Sequence, residues 1–84
     1  MPLELTRSER DLLLNIEVLA PDTAKKLQSA KLQGNVYRVE CGAEAVNALI
    51  GGLDEEAGRT DETYLARAYE ELRRKLERTI QPAR

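Results

Sequence analysis

The chain has 84 residues, of which 42% are hydrophobic and 33% charged, and 13 Lys and Arg against 15 Asp and Glu leave a net charge of −2. That length suits one small domain spanning residues 1–84, and the composition lies far from the corner where chains stay disordered. There is no His, and Cys41 is the only cysteine, which excludes most general-base, nucleophile and metal-ligand sets; no enzyme activity, cofactor or metal is expected.

Thr6 and Glu9 stand three apart before an apolar run, the spacing of a capping box, so a helix is expected to start near Arg7. Leu12, Leu13, Ile16 and Leu19 recur at helical spacing, Leu14 and Val18 widen the stripe, and Pro21 is expected to end the helix. Pro21 can also open a second helix, with Ala24, Leu27 and Ala30 inward and Lys25, Lys26 and Lys31 outward, before Gly34-Asn35 stops it.

Residues 36–41 alternate with period two, placing Tyr37, Val39 and Cys41 on one face and Val36, Arg38 and Glu40 on the other. One half-buried strand follows from that pattern. Its backbone needs a partner, either the short extended piece Leu3-Glu4-Leu5 or the same strand of a second copy.

Val46, Leu49, Ile50, Leu53 and Ala57 then mark one face of a third helix, interrupted by Gly51-Gly52, which is either a kink or a place where another part of the chain comes close. Gly58 is expected to end it and Thr60 or Asp61 to cap the fourth helix, with Leu65, Ala68, Tyr69, Leu72, Leu76 and Ile80 inward. Glu70 with Arg74 and Glu71 with Lys75 are favourable i, i+4 pairs on its outer face, and Pro82 leaves a short tail over residues 82–84. The fold class is therefore mainly α: about four helices with one short strand between the second and third. Its core is expected to draw on Leu12, Leu13, Ile16, Leu19, Leu27, Val39, Val46, Leu49, Ile50, Leu53, Leu65, Leu72, Leu76 and Ile80.

Charge is unevenly placed. Lys25, Lys26, Lys31 and Arg38 against Asp22 make residues 21–39 basic, whereas seven carboxylates against Arg59 make residues 40–62 acidic. The acidic group Asp54, Glu55, Glu56, Asp61 and Glu62 lacks the alternation and central glycine of a calcium loop and is read as helix-end charge. Cys41 is read as a small buried residue rather than a nucleophile. No run approaches the roughly 18 apolar residues of a membrane span, and Met1-Pro2-Leu3-Glu4 does not open like a signal peptide, so a cytoplasmic location and no membrane partner are expected.

From Val36 to about Arg78, the order of alternating strand, helix, turn Gly58-Arg59-Thr60-Asp61-Glu62 and second amphipathic helix resembles the ribbon-helix-helix family. That resemblance implies a dimer that pairs one strand from each chain and reads DNA with Val36, Arg38 and Glu40, with Tyr37, Val39 and Cys41 in the dimer core and the turn on a phosphate.

Exclusion leaves two functional readings. The leading one is a non-catalytic regulatory or interaction module that binds a protein partner. The alternative is a dimeric DNA-binding regulator or antitoxin, with Lys25, Lys26, Lys31, Val36 and Arg38 as nucleic-acid contacts. A homodimer is expected in both, because so small a core needs support that one cysteine cannot supply within one chain. Its seam is expected at Tyr37, Val39 and Cys41 or along the last helix at Leu72 and Leu76.

Overall fold

A computed structural model describes residues 2–17 and 19–80. Leu3 and Leu5 are buried while Pro2 and Glu4 are exposed, the alternation of a half-buried strand, and β1 spans Pro2–Leu5. Helix α1 follows over Arg7–Leu14, opened by the expected capping box. The Thr6 hydroxyl accepts from the Glu9 N–H at 3.2 Å and the Thr6 N–H donates to Glu9 Oε1 at 2.8 Å.

Contrary to the periodicity, α1 stops at Leu14, with Asn15 as its C-cap, and Ile16 and Leu19 lie in the connection that follows. The cause is tertiary. Ile16 leaves the helical path and is buried against Gly52, and that apolar contact outweighs a local preference worth only tenths of a kcal/mol per residue. The expectation placed on Val18 lies outside the described residues, as does the tail over 82–84.

Helix α2 spans Pro21–Ser29, with proline in its first turn as expected, but ends before Gly34. Ser29 Oγ donates back to the Lys25 carbonyl at 2.7 Å in the last turn of the helix, and Ala30 is already extended. Leu32–Gln33 then forms a two-residue strand, β2, and Val36–Glu40 forms β3. Gly34-Asn35 is thus the loop of a β-hairpin and not a helix stop. Gly34 has φ of 66°, which fits the glycine-first two-residue hairpin turn and is strained for any residue with a Cβ.

The sheet has order β1-β3-β2, all antiparallel, with Leu3 opposite Val39, Leu5 opposite Tyr37 and Glu4 opposite Arg38. Three strands replace the single one expected. β3 therefore finds its partners within the chain, choosing the Leu3-Glu4-Leu5 alternative over a strand from a second copy.

Helix α3 covers Ala43–Arg59, one residue beyond the expected stop at Gly58, and α4 covers Thr63–Ile80. The Thr60 hydroxyl accepts from the Glu62 N–H at 3.2 Å, bracing the linking turn, while the Glu62 carbonyl accepts the first helical bond of α4 from Ala66. So short a connection makes α3 and α4 antiparallel neighbours. Gly51-Gly52 does not break α3: a Cβ on Gly52 would lie 2.8 Å from Ile16 Cγ2, so this pair marks a close approach.

The core lies where the sheet and helices meet. Leu3, Leu5, Val39 and Cys41 come from the sheet side, Leu13, Ile16 and Leu27 from α1, its connection and α2, and Val46, Leu49, Leu53, Tyr69, Leu72 and Leu76 from the α3/α4 pair. Leu12, Leu19, Ile50, Leu65 and Ile80, expected inside, are half-buried at its edge. Lys75, expected beside Glu71, reaches Glu9 Oε1 at 2.7 Å and so ties α4 to the cap of α1.

Candidate functional site

Two open grooves mark the surface of the described residues. The first, about 510 Å³, runs between α1 and α4, with Leu12, Ala68 and Leu72 at its floor. Its rim carries Glu9, Glu71, Arg74, Lys75 and Arg78. Helical spacing alone explains this grouping: positions 68, 71, 72, 75 and 78 share one stripe of α4. Glu9 and Lys75 neutralise each other across the groove, leaving Glu71, Arg74 and Arg78 as charges for an outside partner.

The second groove, about 450 Å³, lies between the end of α2 and the sheet. Lys26 comes from α2, Lys31 from the connection and Arg38 from β3, with Ser29, Gln33 and Glu40 beside them. Three cations separated in sequence are thus gathered because the β2/β3 hairpin folds the chain back over the α2 terminus. Of the other residues proposed for nucleic-acid contact, Lys25 is exposed on α2 but does not line the groove, and Val36 is half-buried next to the hairpin turn. Gln33 was not anticipated. The signal for it was present in Gly34-Asn35 between Leu32-Gln33 and the alternating run from Val36, a two-residue glycine turn of the kind that joins hairpin strands.

The residues proposed for a dimer seam sit differently from that expectation. Val39, Cys41, Leu72 and Leu76 are all at most 3% exposed in the single chain, so they are occupied by its own core. Tyr37 is half-buried, and the guanidinium of Arg10 stacks 4.2 Å from its ring centroid. The reason is the intrachain sheet: β1 takes the edge of β3 that a second strand was to pair with, and sets Leu3 and Leu5 beside Val39 and Tyr37 on the face turned to the core.

Protonation follows the same division between core and surface. Burial pushes the Cys41 thiol above its ordinary 9.0, against the opposing pull of the Lys26 ammonium, so it stays a neutral thiol at pH 7. Tyr69 is raised by burial and by the Glu56 carboxylate, and Tyr64 by its hydrogen bond with Glu62. Three of the acidic group lie in ion pairs: Arg59 meets Glu55 and Glu56 as well as Glu17, and Arg73 Nε lies 4.0 Å from Asp54. Among the described residues, no cluster of three or more His, Cys, Asp or Glu is placed to hold a metal ion, and no helix is long and apolar enough to cross a membrane.

No protein-family model, curated protein or solved structure matches the chain.

Proposed function

We propose that the chain is a small non-catalytic interaction module of the cytoplasm that works as a homodimer and binds a protein partner. The observation that carries this reading is the groove between α1 and α4. Its half-buried apolar residues Leu12 and Ala68 within a charged rim have the anatomy of a contact surface, and the fold leaves them open.

A second copy is the occupant that the rim favours. Glu71 lies toward one end of the α4 stripe and Arg78 toward the other, so a two-fold axis across the groove brings each carboxylate onto the partner copy's guanidinium, and it sets Arg74 beside the copy's Lys75, whose charge Glu9 offsets. This seam differs from both seams expected from sequence, because it uses half-buried Leu12 and Ala68 rather than side chains already committed to the core. The lone thiol suits a reducing compartment, and its raised pKa agrees with a packing role.

A charge exchange tests the seam. Glu71→Lys and Arg78→Glu each place like charges across it, so each variant alone is expected to dissociate at about threefold or more higher concentration than the unaltered chain. Mixing the two restores opposite charges at both contacts and is expected to recover the dimer as a mixed species. Dimers unaffected by either exchange, or no recovery on mixing, would place the seam elsewhere.

A further inference from the structure

The groove at the α2 terminus is separate from that seam and has a chemistry of its own. Lys26, Lys31 and Arg38 converge on it from three elements, and all three are exposed. Only Glu40 opposes them along its lining, while Glu4 faces Arg38 from across the sheet. We infer that this groove binds an acidic peptide segment of the partner protein, its carboxylates seated on Lys26, Lys31 and Arg38.

Charge complementarity selects the occupant. Three cations within one groove draw an anionic ligand, the Gln33 amide offers hydrogen bonds to its backbone, and Ser29 Oγ, whose proton is held by the Lys25 carbonyl, can accept from a peptide N–H. A peptide fits better than a nucleic acid for two reasons. The cations cover only about three anionic groups, whereas a nucleic-acid tract needs a longer basic face. The whole chain is also acidic, at −2, and residues 40–62 carry seven carboxylates against one arginine, so the chain offers a long polyanion no continuous basic track beyond the groove. A short segment held at one groove needs no such track.

The inference rests on the reading of the chain as a protein-binding module, though not on the α1/α4 seam. A labelled oligo-glutamate peptide, an oligo-glutamine peptide of equal length and a single-stranded oligonucleotide of equal charge are titrated with the full chain by fluorescence anisotropy. The glutamate peptide is expected to bind, to weaken about tenfold or more from about 0.05 M to about 0.5 M salt, and to bind more tightly than either control. Lys31→Glu and Arg38→Glu are expected to weaken it about tenfold or more each, while Arg67→Glu, an equal charge change on the exposed face of α4, leaves at least a third of the affinity. Circular dichroism and thermal melting confirm that each variant is folded, and exposed positions such as these are suited to substitution.

Equal losses in all three variants, or no binding of the glutamate peptide, would overturn the proposal and leave the dimer seam standing. Tighter binding of the oligonucleotide would overturn it too, and would also remove the protein-partner reading in favour of nucleic acid.

Discussion

Gly51 and Gly52 are neighbours in one helix, yet the structure gives them opposite roles. Space around Gly51 is open within 4 Å, so Gly51→Ala relieves only backbone entropy and is expected to stabilise the chain by about 0.5–1 kcal/mol. At Gly52 a new methyl meets Ile16 Cγ2 at 2.8 Å and Ile16 Cδ1 at 3.4 Å, so Gly52→Ala is expected to cost about 1–3 kcal/mol. Urea midpoints of the two variants check both signs; a stabilising Gly52→Ala would contradict the close packing of Ile16. From sequence this pair was ambiguous because the residue that decides it, Ile16, lies in another element.

Cys41 gives a second prediction. Its folded-state pKa lies above the ordinary 9.0 because burial favours the neutral thiol. The stability this represents is fully present below about pH 9 and is lost as pH rises through the folded-state value. Between about pH 8 and about pH 10 the melting temperature of the unaltered chain should therefore fall more steeply than that of Cys41→Ala. Parallel slopes would show that Cys41 is exposed to solvent or unburied before titrating. Tyr69 shifts in the same direction from 10.0 and adds to the loss at higher pH in both chains, so it cancels in the comparison.

Among the elements, α1 shows which parts of a helix are locally encoded. Its start was legible because Thr6 and Glu9 satisfy each other's neighbourhood within four residues. Its end was not, because Leu12 to Leu19 keeps helical spacing while the real stop depends on Ile16 reaching α3. The same division holds for the hairpin: β3 was visible by its alternation, but β2 has two residues and the exposed Leu32, too little pattern to register alone. Gly34-Asn35 suits a helix stop and a hairpin turn alike, and the early end of α2 at Ser29 decides between them.

Glu9 gives the element scale its test, since one carboxylate oxygen accepts both from the Thr6 N–H and from Lys75 Nζ at 2.7 Å. Thr6→Ala removes the hydroxyl that serves the Glu9 N–H and is expected to cost about 1 kcal/mol by chemical denaturation. Glu9→Gln retains an oxygen for Thr6 while losing the charge opposite Lys75. It is expected to cost less than about 1 kcal/mol, given the partial exposure of the ion pair, and to become indistinguishable from the unaltered chain at high salt. A Thr6→Ala variant as stable as the parent would show that α1 is held by packing alone.

For the molecule as a whole, the mainly helical class and most of the core were legible in the apolar spacing, because α3 and α4 are long and single-faced. The grooves were not, because each is made between elements distant in sequence: Leu12 with Ala68 and Leu72, and Lys26 with Arg38. Lys26, Lys31 and Arg38 had been grouped by local charge, and the fold supplies the reason that they meet. Leu72 and Leu76 had been offered to a second copy on the strength of their spacing, and the α3/α4 pair takes them instead.

The homodimer proposed for this 9.4 kDa chain is open to a direct test. Light scattering of the unaltered chain across a dilution series tests it most directly. A mass near twice 9.4 kDa that falls toward one chain only on dilution is expected, and a mass of 9.4 kDa at every concentration would contradict the homodimer.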